Sequence, residues 1–118
     1  MKVNIKNKEI ELCYTMRMHV IYENITGESV DFTNMASLKQ LTTIFLACIL
    51  ASAKKAKLDF DITYDDYIDW LDDNGGYQLL NEFALWLAAE MEAKYGLLKK
   101  EEEKEEEETT KKPKKVKN

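Results

Sequence analysis

The first twelve residues alternate apolar and polar side chains, and this pattern predicts a small β-hairpin. The turn is expected around Asn7-Lys8. The apolar members are Val3 and Ile5 before the turn, and Ile10 and Leu12 after it. A period of two places them on one face of a strand pair. Because an isolated hairpin is marginally stable, we expect that face to lie on an apolar surface.

Two helices are predicted next. The first begins at a Thr15 cap and ends at Gly27, and its apolar stripe is Met18, Ile21, Tyr22 and Ile25. His19 lies off this stripe, four residues before Glu23, which predicts a solvated pair and no catalytic role. The second covers residues 38–53, after a capping-box pattern from Ser37 to Gln40. Residues 44–51 are apolar on every side, so this helix should be buried all round, either at the centre of the core or partly under a partner.

The second half of the chain predicts two further helices after a loop over residues 54–62. Thr63 caps a short acidic helix whose inner face is Tyr64, Tyr67, Ile68 and Leu71, with Trp70 at its border. After Asn74-Gly75-Gly76, a long helix runs over residues 77–95 and stops at Gly96. Its core side is Leu79, Leu80, Phe83, Leu87 and Met91, with Trp86 at one edge and Leu85 on the far side.

These elements predict an α+β fold that is mainly α, with a short N-terminal β-hairpin packed on about four helices over residues 1–96. Residues 97–118 are almost devoid of apolar side chains, so a disordered, charged C-terminal tail is expected. The 118 residues suffice for one domain. Its start lacks the apolar run of a signal peptide, and the apolar stretch 41–53 is too short for a membrane span. The sequence therefore predicts a soluble protein.

The charge is uneven and argues against a nucleic-acid-binding domain. Residues 1–96 hold nine Lys or Arg and fifteen Asp or Glu, a net of −6, and residues 97–118 have a net of +1. The basic end, residues 111–117, resembles a nuclear-import cluster or nucleic-acid tether, although a solvated tail explains it more simply. Cys13 and Cys48 are isolated, as expected of reduced thiols.

Seven aspartates between Asp59 and Asp73 resemble a calcium loop but have the wrong register. Aligning Ile62 with the hydrophobic eighth position of an EF-hand places Lys55 and Lys57 at ligand positions and Phe60 where glycine is needed. No catalytic constellation or phosphate loop accompanies them, so we expect a non-enzyme without metal or cofactor. The aspartates should mainly cap and solvate the helix, with an electrostatic docking face for a basic partner as the alternative.

The order of three segments resembles the tail assembly chaperones of long-tailed bacteriophages and prophages. The segments are residues 5–12 (IKNKEIEL), 22–27 (YENITG) and 62–74 (ITYDDYIDWLDDN), with a greasy helix between the last two and an amphipathic helix at the end. The resemblance covers about residues 1–96. The long mixed-charge tail departs from it.

The resemblance implies binding to the aggregation-prone tape measure protein, which stays soluble until tail tube protein subunits replace the chaperone. It also implies action in the cytoplasm of the bacterial host, absence from the mature virion, and in many members a longer form made by ribosomal frameshifting. Lysine pairs such as Lys99-Lys100 are compatible with adenine runs at a frameshift site.

The candidate partner-binding residues are apolar side chains that the core does not require and charges beside them. They are Trp70, Leu85 and Trp86, with Asp65, Asp66 and Asp69 as acidic neighbours. The alternative is that both tryptophans belong to the core. Two other function classes stay open: an acidic adaptor or regulator that mimics nucleic acid, and a virion component that self-associates through the helix at residues 38–53.

Overall fold

The computed structural model describes residues 1–96, and the charged segment 97–118 lies outside the described residues. The elements are β1 (Lys2–Ile5), β2 (Lys8–Glu11), α1 (Met16–Thr26), a 3-10 turn (Phe32–Asn34), α2 (Leu38–Lys55), α3 (Tyr64–Asp73), α4 (Tyr77–Met91) and a π-helical turn (Glu92–Gly96). Within these residues, the hairpin and four α-helices confirm the predicted mainly α fold class. Within the described residues, contact clustering divides the chain after Trp86, into Met1–Trp86 and a second unit that begins at Leu87.

The N-terminal hairpin is antiparallel and pairs Val3 with Ile10. Its turn lies one residue earlier than predicted, because Lys6 and Asn7 both have positive φ angles, 51° and 64°. A two-residue turn of this kind matches the twist of the strands. The four apolar side chains of the predicted face, Val3, Ile5, Ile10 and Leu12, are all buried. The hairpin packs on α2 through β2, as expected of a strand pair that cannot stand alone.

Helix α2 is the centre of the core. Residues 44–49 are almost completely inaccessible, and Ala51, Ser52 and Ala53 are buried as well, whereas Leu50 is half-buried. Ser37 Oγ accepts a hydrogen bond from the Gln40 backbone N–H at 3.3 Å, as the capping pattern predicts. The return half of the predicted capping box is wrong, because the Gln40 side chain binds the Asp31 and Asn34 backbone instead. Gln40 thereby holds the loop that precedes its own helix.

Helix α1 differs from its prediction in three details. Gly27 ends it in a left-handed conformation, as expected, with φ 77°. Thr15 occupies the cap position without a side-chain cap bond, and its buried Oγ1 lacks a partner among the described residues. Ile25 is 43% exposed, so it does not belong to the buried stripe. His19 is half-buried beside Tyr14, with its Nε2 2.8 Å from the phenolic oxygen, rather than in a solvated pair.

Helix α3 begins where predicted, because Thr63 Oγ1 accepts from the Asp66 backbone N–H at 3.1 Å. Tyr67 is fully buried on its inner face and donates its O–H to the Thr42 carbonyl at 2.6 Å, while Tyr64 is 43% exposed and lies outside that face. Helix α2 ends at Lys55, two residues later than expected. Helix α4 ends at Met91 and continues as the π-helical turn to Gly96.

Candidate protein-binding surface

Trp70, the first candidate anchor, is half-buried and is used by the fold. Its indole Nε1–H donates to the Asn4 carbonyl at 2.7 Å, across 66 positions of sequence. Its ring stacks on Tyr67 and meets Phe45 edge-on, with centroid distances of 6.2 and 6.0 Å. Asn4 and Glu9 form a non-hydrogen-bonded pair of the ladder, which flanks the bonded Ile5 and Lys8 pair next to the turn. The Asn4 carbonyl therefore points away from β2, and Trp70 ties this free edge to α3.

The other two apolar candidates lie next to each other on α4 but differ in exposure. Leu85 is 75% exposed and lies on the side of the helix away from the buried Leu80 and Phe83. Trp86 is half-buried, with its ring 5.9 Å from the Phe83 ring. Adjacent helix positions are about 100° apart, so the two side chains leave the helix in different directions. Leu85 is therefore a surface residue, whereas Trp86 is partly packed.

The three acidic candidates are exposed, and two of them belong to one row on α3. Asp65, Asp69 and Asp72 follow an i, i+4, i+7 spacing, which places them on one side of the helix; we call them the acidic stripe. Asp66 lies off this row in the first turn, where its negative charge interacts favourably with the positive end of the helix dipole. Helix α3 therefore buries its apolar face and leaves its carboxylates exposed to solvent.

The sequence offers these carboxylates no neighbouring cation. Residues 58–93 contain ten Asp or Glu and neither Lys nor Arg. In the hairpin, the N-terminal amine pairs with Glu11 and Lys2 pairs with Glu9. The α3 and α4 region of the described chain is therefore a strongly acidic surface with apolar side chains emerging from it.

An apolar groove that sequence reasoning missed lies between the first turns of α2 and α4 and one side of α3. It encloses about 200 Å³, and its lining includes Leu38, Ile68, Leu71, Asp72, Tyr77 and Leu80. Leu71 and Leu80 are buried, whereas Leu38 and Tyr77 are 49% and 71% exposed at its rim. We call it the α2–α4 groove. The available signal was a large apolar residue as the first residue of each of two helices, outside the predicted core stripe.

The remaining chemistry of the described chain is sparse. Cys13 and Cys48 are not joined in a disulfide, and Cys48 Sγ lies 3.5 Å from the Cys13 carbonyl oxygen. Within the part that the structure describes, no group of three His, Cys, Asp or Glu side chains is arranged to hold a metal ion. None of the described helices is long and apolar enough to cross a bilayer. The prominent surface features of residues 1–94 are the exposed Leu85, the acidic stripe and the α2–α4 groove.

The chain matches no family model, no curated protein and no solved structure.

Proposed function

We propose that this protein is a tail assembly chaperone of a long-tailed bacteriophage or prophage. It binds the tape measure protein and keeps it soluble until tail tube subunits take its place. It acts in the cytoplasm of the bacterial host and leaves before the virion matures. The observation that carries the proposal is Leu85, a leucine 75% exposed beside the half-buried Trp86. The hairpin and helix order of the resemblance supports it.

A chaperone must offer apolar surface to its client and yet remain dispersed in solution. Burying one large apolar side chain contributes roughly 1.5–3 kcal/mol, and exposed apolar patches mark interaction sites. Leu85 and Tyr77 are large apolar side chains on α4 that are 75% and 71% exposed. The net charge of −6 over residues 1–96 opposes association between copies of the chaperone itself. Both properties suit a partner that is long, helical and prone to aggregation.

The test is co-expression with the tape measure protein of the same phage or prophage, followed by quantification of the tape measure protein in the cleared lysate. The Leu85→Asp variant should raise the Kd at least about tenfold, because it loses roughly 1.5–3 kcal/mol of burial and about 1.4 kcal/mol corresponds to a factor of ten. The amount of soluble tape measure protein should fall accordingly. Met16→Asp is the matched control, since Met16 is 69% exposed on α1. Far-UV circular dichroism checks that both variants fold. If folded Leu85→Asp captures as much tape measure protein as the natural chain, Leu85 is not part of the binding surface. If the natural chain captures none, the proposed function is wrong.

An acidic regulator that mimics nucleic acid is the second candidate, and the absence of Lys and Arg from residues 58–93 favours it. Such a protein would bind a DNA-binding partner through charge alone. Binding would then be competed by DNA and abolished by 0.5 M salt, whereas capture through apolar side chains persists at that salt concentration.

A further inference from the structure

We propose that the α2–α4 groove binds a basic amphipathic helix, one apolar side chain of which enters the groove while its Lys or Arg residues face the acidic stripe. This inference rests on the proposed function, because the tape measure protein would supply the helix. It adds a second contact surface to Leu85 and specifies the chemistry of the segment that is recognised.

The shape of the groove suits a single anchoring side chain. Its floor is formed by the buried Leu71 and Leu80, and the half-buried Ile68 contributes one wall. Leu38 and Tyr77 rise at the rim and are largely exposed. A cavity of about 150 Å³ with apolar walls is large enough to hold benzene. The volume of about 200 Å³ therefore admits a Leu, Met or Phe side chain.

The charge beside the groove selects a basic partner. Asp72 lines the groove itself, and Asp65 and Asp69 continue the acidic stripe along α3. Asp65 and Asp72 are seven positions apart on the helix, a length of about 10 Å or two turns. A partner helix with Lys at the same spacing matches this row when it lies alongside α3. Anionic partners such as nucleic acid or acidic lipid surfaces are repelled by the same row.

The acidic stripe and the α2–α4 groove have different roles in recognition. Exposed ion pairs contribute little individually and are screened by salt, so the stripe governs selectivity and association rate. Affinity comes from the desolvated apolar anchor at the centre of the contact. The binding of a basic helix should therefore weaken several-fold between 50 and 500 mM NaCl and yet remain measurable.

The experiment titrates the full 118-residue chain, labelled with ¹⁵N, with an 18-residue helical peptide made of Leu, Lys and Ala. Its leucines repeat at i, i+3, i+4 and i+7, with lysines flanking them. The expected result is a set of amide shift changes centred on Ile68, Gly76 and Tyr77. Peptides with Lys replaced by Glu, or Leu replaced by Gln, should bind at least about tenfold more weakly. Equal binding of all three peptides, or shifts confined to α1, would overturn the proposal.

Variants of the chain test the same contact from the other side. The double variant Leu38→Ser/Tyr77→Ser should raise the peptide Kd about tenfold or more, and Asp69→Asn/Asp72→Asn should raise it several-fold at low salt only. The control Met16→Ser/Val20→Ser removes exposed apolar side chains from α1 and should leave the Kd unchanged. An unchanged Kd in the groove variant overturns the proposal. The proposal is also overturned if sedimentation shows that the natural chain is a dimer and the groove variant is a monomer, because the groove would then join two copies of this chain.

Capture of the tape measure protein separates this inference from the proposed function. If Leu85→Asp abolishes capture while the groove variant captures normally and the peptide does not bind, the groove inference fails and the function stands. If the peptide binds in the groove but the tape measure protein is never captured, the function fails and the groove remains a binding site for basic helices.

Discussion

Replacing Trp70 by Phe separates a role in the fold from a role in partner binding. The indole Nε1–H donates to the Asn4 carbonyl at 2.7 Å and so links α3 to the free edge of β1. Phenylalanine keeps an aromatic ring against Phe45 and Tyr67 but cannot donate this hydrogen bond. We therefore expect Trp70→Phe to lower the free energy of unfolding and to leave capture of the tape measure protein unchanged.

The magnitude follows from the two interactions that change. A neutral hydrogen bond contributes about 0.5–1.5 kcal/mol net, and this one is accessible to water that can replace it. The smaller ring gives up apolar contact equivalent to one or two methylene groups, each worth about 0.8 kcal/mol. The sum is about 2 kcal/mol, which lowers the melting temperature of a domain of this size by roughly 10 °C.

The assay is urea unfolding followed by circular dichroism at 222 nm, with Trp86→Phe as the matched control. Trp86 is also half-buried against a phenylalanine, and within the described residues its indole nitrogen makes no hydrogen bond. Its substitution should therefore cost about 1 kcal/mol less than that of Trp70. The reasoning is refuted if Trp70→Phe is no more destabilising than Trp86→Phe and also loses capture. Trp70 would then be a binding anchor.

Three further predictions concern the interior. Tyr67→Phe should cost about 1 kcal/mol by removing the bond to the Thr42 carbonyl. Burial raises the pKa of Tyr67 above its usual value. Above pH 10, the free energy of unfolding of the natural chain should therefore fall by up to about 1.4 kcal/mol per pH unit more than that of Tyr67→Phe, as measured by urea unfolding. Burial lowers the pKa of His19 despite the opposing charge of Glu23, so stability should fall from pH 7 to pH 5, and less so in His19→Gln. Gln40→Met should cost about 2 kcal/mol and speed amide exchange at Asp31, because three backbone groups lose their partner.

Contrary outcomes are equally specific. Parallel alkaline curves for the natural chain and Tyr67→Phe would show that the phenol ionises in the folded state without penalty. Acid sensitivity unchanged in His19→Gln would assign that sensitivity to another group. Slow exchange at Asp31 in Gln40→Met would mean that the loop is held by contacts other than the Gln40 amide.

Features controlled by neighbouring residues could be predicted from the sequence. Thr63 and Gly27 shape helix ends because their partners lie three or four residues away, within the same turn. The prediction of the Ser37 cap is confirmed for the same reason, whereas the predicted hydrogen bond from the Gln40 side chain back to Ser37 is wrong. A glutamine is long enough to reach more than one partner, and the competing loop carbonyls became neighbours only through folding.

The candidate site shows the same division. Periodicity alone identified Leu85 as a leucine that the core does not require, and it is 75% exposed. Periodicity also placed both tryptophans at the borders of the apolar stripes of their helices, but it could not decide whether each one packs in the core or binds a partner. For Trp70 that depends on the Asn4 carbonyl, 66 positions away. Partner binding stays a prediction for all six candidates, which are Trp70, Leu85, Trp86, Asp65, Asp66 and Asp69.

The amino-acid pattern by itself determined the hairpin, the four helices and the acidic face of α3, because each follows from residues close together in the chain. Only the tertiary structure decided that Leu38, Ile68 and Tyr77 meet around one groove beside the acidic stripe. These residues belong to three different helices, so no local period relates them. Their proximity is a property of how the helices pack, and packing depends on the shapes of all the buried side chains together.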